Sequence, residues 1–174
     1  MATLLQQRGT LVSPTYRLFA LHDPECDDSS NFEVSTIAAI NDTVGWAYGM
    51  VSISTVLDIV NTTVHVEVWD ADPGPAISAA DLEREAELDF PSGRYCIDKA
   101  TNDQDRLGID LPHGPGMYRV HITGQRAEAR DRRDRVYAHM NQVPLDVAAP
   151  EIEGLETYLL RLWRVGESPP EPVT

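Results

Sequence analysis

A chain of 174 residues, 42% hydrophobic and 24% charged, is long enough to close one sizeable core and too apolar to stay disordered. Its 28 acidic residues against 14 basic ones leave a net charge of −14, so a phosphate backbone or an anionic bilayer meets a repulsive mean field. No apolar run approaches the roughly 18–20 residues that span a membrane. The start, MATLLQQRGTLVSPT, lacks the basic and long apolar segments of a secretory signal. The expectation is a cytoplasmic protein that binds neither nucleic acid nor membrane.

In chain order, residues 1–14 carry no clear period, end at Pro14, and read as an extension before a single domain over 15–166. YRLFALH (16–22) is the first strand-like run. HDPECDD (22–28) then sets four carboxylates in seven residues, but without a DxDxDG pattern and with Pro24 in the way it reads as a solvated acidic loop. VSTIAAI (34–40) suits a short helix, and MVSIST (50–55) another strand. TTVHVEVWD (62–70) alternates Val64, Val66 and Val68 against Thr63, His65, Glu67 and Trp69. DADPGP (70–75) is a loop. EREAELDF (83–90) alternates again, and FPSGR (90–94) is a tight turn with Gly93 at its positive-φ position.

RYCID (94–98) and RLGIDL (106–111) are shorter runs before the LPHGPG loop. MYRVHIT (117–123) alternates Tyr118, Val120 and Ile122 against Arg119, His121 and Thr123. In QRAEARDRRDR (125–135) the acids are interleaved with five arginines, which points to local pairing in a long polar loop or short helix. ETYLLRLWRV (156–165) is apolar on both faces and predicts a central strand. ESPPEPVT (167–174) is a disordered, proline-rich tail. Together these runs predict an all-β fold, an antiparallel β-sandwich of about eight strands with long polar loops.

Chemistry-bearing patterns are sparse. Cys26 and Cys96 form no CxxC and suggest no disulfide framework; Cys26 is the more exposed of the two, beside acids that raise a thiol pKa. There is no GxSxG, and Ser92 is a turn residue. His65 and His121 lie on polar strand faces, yet no HxH, HxxxH or HExxH occurs, so no catalytic, cofactor or metal residue is assigned. Glu85, Glu87 and Asp89 project from one strand face, and Glu67 extends that stripe if strand 62–70 is its neighbour. A flat acidic face of this kind would steer and dock a basic partner.

The motifs YRLFALHD, VHVEVWDADP and ELDFPSGRY are followed by GPGMYRVHITGQR, which runs into a charged AEARD-type loop, and by a terminal ETYLLRLWRV strand. From Tyr16 to Val165 they make the chain resemble an uncharacterised bacterial β-sandwich family. Met117 stands where that pattern has an aromatic, and Arg164 follows Trp163 where it has proline. More distantly, the strand order and the LP-to-Tyr turn before a late strand are similar to ComJ-type competence proteins, inhibitors of a DNA-entry nuclease. The resemblance implies a sandwich with no catalytic residues to carry over, and a protein that blocks a nuclease.

Two classes of function are therefore expected. One is a non-enzymatic acidic binding protein, of inhibitor or immunity type, whose partner is a basic nuclease or toxin. The other is a small-ligand or metal-binding sandwich, enzymatic or not, in which His65, His121 and nearby carboxylates converge. Nothing in the residues sets the oligomeric state.

Overall fold

The structure, a computed structural model, describes residues 1–75, 79–97 and 108–169. Among them the elements run β1 (Leu4–Val12), β2 (Leu18–His22), α1 (Ser29–Asp42), β3 (Val44–Ala47), β4 (Met50–Ser54), β5 (Thr62–Trp69) and β6 (Leu82–Phe90). They continue with β7 (Arg94–Ile97), β8 (Ile109–Asp110), β9 (Gly116–Gln125), α2 (Ala127–Met140), α3 (Leu145–Ile152) and β10 (Thr157–Gly166). Two five-stranded sheets result, ordered β1-β5-β10-β9-β6 and β3-β4-β2-β7-β8. The protein is thus mostly β and not all-β: ten strands and three helices among the described residues replace the expected eight strands joined by loops.

The period-two pattern of β5 is realised, with Val64, Val66 and Val68 buried and His65 exposed on the opposite face. The apolar run of β10 sits at the centre of the first sheet, as its burial on both faces requires. It pairs antiparallel with β9 but parallel with β5, which departs from the antiparallel expectation. Residues 70–156 separate those two strands, enough chain for the crossover that a parallel pair needs.

Val64, Val66, Val120, Leu160 and Leu162 of the first sheet share one core with Phe19, Leu21, Val51 and Ile53 of the second. The Phe19 ring meets Tyr158 edge-on at 5.2 Å, joining β2 to β10. The FPSGR turn forms as read: Gly93 has φ +70° and its N–H donates to the Phe90 carbonyl at 3.0 Å. It is a corner and not a hairpin, because β6 belongs to the first sheet and β7 to the second.

Three segments are more ordered than their sequence suggests: the N-terminal extension, the short helix expected at 34–40, and the arginine tract expected as a long polar loop or short helix. Residues 4–12 pair with β5 as an edge strand. Only Val12 of that strand is buried, which is why the segment shows no period. α1 extends well beyond 34–40, because the Asp28 carboxylate caps it by accepting the Asn31 N–H at 2.9 Å. The arginine tract is helical throughout α2, built from good helix formers and burying Ala129 and Val136 two turns apart. Those residues close a second, smaller core with Val56, Leu57, Val60 and Ile152.

At the other end, Arg164 pairs with Glu167 at 2.8 Å and Ser168 donates to Asp89 at 2.6 Å, so the expected tail begins in contact with the fold. Residues 170–174, like Asp98 and positions 106–107 of the two short runs, lie outside the described residues. Among the described residues, no helix is long and apolar enough to cross a membrane.

Candidate functional site

The acidic stripe expected from sequence lies on the face of the first sheet opposite the core. Strand order changes its composition. β10 and β9 stand between β5 and β6, so Glu67 does not extend the row from Glu85 to Asp89. The register instead places Glu67 opposite Arg161, Arg161 opposite His121, and His121 opposite Glu85. Glu67 is engaged locally, accepting from Trp69 Nε1 at 3.0 Å and Gln7 Nε2 at 3.4 Å.

Glu85 and Glu87 both remain exposed on edge strand β6, and both bind Arg119, Glu85 at 2.9 Å. Asp89 is buried: the Tyr48 hydroxyl donates to it at 2.9 Å and Ser168 covers its other oxygen. Of the four carboxylates, then, two face solvent together as an arginine-clamped pair, one is sealed, and one sits across the sheet. Ion pairs at this exposure contribute little to stability. They do mute the field the carboxylates present.

His65 and His121 share this face, but they do not converge. His65 lines a shallow depression of about 380 Å³ with Gln7, Glu67, Thr123 and Gln125. His121 is buried one strand beyond β10, its Nε2 2.7 Å from Glu83 and its Nδ1 2.9 Å from Arg161. An arginine can only donate, so Nδ1 is the acceptor there and Nε2–H donates to Glu83. Arg161 in turn donates to the Gly74 carbonyl at 2.8 Å, which ties the loop after β5 to the centre of the sheet. Among the described residues no three His, Cys, Asp or Glu side chains come together as a metal site.

The acidic HDPECDD segment is only partly a solvated loop. Asp23 is fully buried and accepts from the Ser92 N–H at 2.9 Å and the Ser92 hydroxyl at 2.8 Å, which pins the β6–β7 corner. Cys26 is buried too, contrary to the expected exposure, and neither it nor Cys96 is in a disulfide. Burial first, then the charges of Asp23, Asp89, Asp28 and Glu25, push the Cys26 thiol up to about 12. A thiol held protonated in this way is a packing group.

Burial pushes Tyr118 up to about 12 as well, and burial with the Glu156 charge holds Tyr158 well above its ordinary 10.0. Each of these groups is neutral when protonated and has its pKa raised by folding. Their contribution to stability is therefore fully present below pH 9.0, the ordinary thiol value, and is lost as pH rises through about 12. Urea midpoints measured from pH 7 to 12 should be flat at first and then drop, and Cys26→Ala should move the onset towards 10.0, the ordinary tyrosine value. A midpoint that declined steadily from pH 7 would contradict this assignment.

Within the arginine tract the residues play different parts. Arg126 is buried beside Glu156, with Nε 3.6 Å from the carboxylate and Nη2 3.1 Å from the Ser54 carbonyl. Its N–H is closed by Asp81 at 2.6 Å, a tertiary cap for α2 that no local pattern announces. Arg132 pairs with Glu128 one turn away at 3.0 Å, and Arg133 lies 5.8 Å from the Tyr137 ring centre. Arg132→Ala should cost under about 0.5 kcal/mol and Arg133→Ala no more than about 1 kcal/mol. Chemical denaturation would check both, and unfolding by either would remove α2 from the surface.

No protein-family model matches the chain, and no curated protein matches it in sequence. Solved structures do. The crystal structure of ComJ, inhibitor of the DNA-degrading activity of NucA from Bacillus subtilis, superposes with a TM-score of 0.54 at 14% identity. The match covers 95% of this chain and 99% of ComJ. The protein of crocagin biosynthetic gene J matches with a TM-score of 0.55 at 18% identity, over 92% of this chain and 99% of its own. Along nearly its whole length, the chain is similar in fold to ComJ.

Proposed function

We propose that this protein is a non-enzymatic, cytoplasmic binding protein that inhibits a basic DNA-degrading nuclease by occupying its surface. The observation that carries the reading is the fold likeness to ComJ, which spans 99% of that inhibitor and leaves neither chain with a large unmatched part. The net charge of −14 supports it, since a nuclease that grips DNA presents a basic cleft to which an acidic protein is steered. On this reading Glu85 and Glu87 contribute as an exposed charged edge, while Glu67 and Asp89 serve the fold.

The test is a DNA-degradation assay. Protein immobilised at about 0.1 M salt should retain a basic nuclease from its source cells and release it near 1 M, where the Debye length falls from about 10 Å to 3 Å. The eluted nuclease should lose activity when the purified protein is added back, and Glu85→Lys with Glu87→Lys should slow association. If DNA degradation by the source lysate continued unchanged at saturating protein, the nuclease reading would be wrong.

A further inference from the structure

Helix α1 seats small residues on the sheet and leaves larger apolar ones outside. The side it turns to β3 and β4 is made of small residues: Ser35 and Ala39 are buried, and a Cβ on Gly45 would stand 1.9 Å from the Ser35 carbonyl oxygen. Ser35 and Ser52 join hydroxyls at 2.8 Å across that contact. The large apolar residues face water instead. Phe32, Val34, Ile37 and Ile40 are 43%, 55%, 54% and 65% exposed. Val34, Ile37 and Ile40 follow at i, i+3 and i+6, which makes one stripe along the solvent side.

Neither helix formation nor packing asks for these residues. Isoleucine and valine are poorer helix formers than alanine, glutamate or lysine, and at a solvated position they gain nothing from burial. Single exposed apolar residues are ordinary, but Val34, Ile37 and Ile40 fall within seven positions on one side of the helix, with Phe32 at its flank. Its rim is acidic: Glu25, Asp27 and Asp28 at one end, Glu33 on the face, and Asp42 at the other end, all exposed. Arg94 lies 3.9 Å from Glu25 and Arg84 3.3 Å from Asp42, leaving five carboxylates against two guanidiniums. Between Arg17 and Arg84 the chain has no lysine or arginine at all.

We infer that the solvent face of α1 is the docking surface for a basic partner protein, with Val34, Ile37 and Ile40 entering an apolar groove ringed by that partner's lysines and arginines. This rests on the binding-protein reading above and places the centre of its contact on α1, with the Arg119-paired β6 carboxylates serving only as an outlying charged edge that steers the partner. A second copy of this chain is a poor occupant, because it would set the acidic rim against itself. The stripe supplies the desolvated centre of the contact, and the rim supplies orientation and a fast, salt-sensitive encounter.

The test places a photo-crosslinking benzoylphenylalanine at position 37 and, in a separate variant, at position 85, and irradiates each protein in a lysate of the source cells at graded salt. Position 37 should capture a basic protein, less of it as salt rises. Binding of that purified protein should weaken roughly 30-fold or more in the Ile37→Ala, Ile40→Ala double variant. The double variant's melting temperature should not fall, since alanine is the better helix former, so lost binding is not lost folding. A crosslink from position 85 but none from 37 overturns the α1 surface and leaves the binding reading standing. A crosslink from 37 to a second copy or to an acidic protein also overturns it. If the captured basic protein binds through α1 but degrades no DNA, the surface stands and the nuclease reading falls.

Discussion

Replacing Glu156 by alanine should destabilise the protein by about 3–5 kcal/mol, the cost of leaving a buried charge without its partner. Glu156 is 2% exposed. Its carboxylate accepts from the Val56 N–H at 2.7 Å, the Leu57 N–H at 3.2 Å and the Tyr158 hydroxyl at 2.6 Å, with Arg126 Nε at 3.6 Å. One side chain thereby joins the first residues before β10, the loop after β4 and the start of α2. Removal strands Arg126 in the interior and leaves three donors unmet. Glu156→Gln should cost less, since one oxygen remains, while its amide must face donors. Arg126→Ala added to Glu156→Ala should recover part of the loss, so a double-mutant cycle read by urea unfolding gives a coupling well above 0.5 kcal/mol. Additive single changes would show that the two groups do not depend on each other. Hydrogen exchange should locate the damage in residues 55–60 and α2, where the smaller core sits.

Gly45→Ala should be as damaging for a different reason. The new methyl would lie 1.9 Å from the Ser35 carbonyl oxygen, 2.5 Å from the Ala39 nitrogen and 2.8 Å from the Ala38 Cβ. Two of those atoms are helix backbone, which has no rotamer by which to retreat, so α1 must lift off β3. Overpacking of this kind costs about 3 kcal/mol, and about 2–4 °C per kcal/mol gives a fall of about 6–12 °C in Tm. Gly166→Ala is the matched control: nothing lies within 4 Å of its added Cβ and its φ is not positive, so it should stay within about 0.5 kcal/mol of the parent. An unchanged Tm for Gly45→Ala would mean that α1 is not seated on Gly45. Because lifting α1 would also move Val34, Ile37 and Ile40, the same variant should bind a partner poorly if the helix is the docking surface.

The candidate site shows how far single strands can be read. The alternation of β6 correctly puts Glu85 and Glu87 on the exposed face, because a side chain's face follows from period alone. Whether a carboxylate is then open, paired or sealed depends on what folds over it. Tyr48 from the β3–β4 turn and Ser168 from the end of the chain cover Asp89, and both are far away in sequence. Glu67 extends the row only if β5 neighbours β6, a condition set by strand pairing and not by either segment, and β10, the strand beside β5 on that side, begins nearly ninety residues later. The α1 stripe had a signal in VSTIAAI, read as a short helix. Reading its large residues as outward needs Gly45 and Ser52, the small partners on the strands beneath it.

Local chemistry alone carried the β-rich character of the chain, the buried valines of β5, the central place of β10 and the Gly93 turn. Each follows from the period of a short segment or from one residue's backbone freedom. The tract 125–135 marks the boundary. Its interleaved charges point to local pairing, of which Arg132 with Glu128 is an instance, and nothing in it distinguishes Arg126 from its neighbours. Arg126 became a buried partner of Glu156, and α2 a helix with a long-range cap at Asp81, only when chain folding brought residues 45 and 30 positions away to it. Burial and pairing of charge are decided by tertiary contacts, because a guanidinium's environment is set by what surrounds it in space.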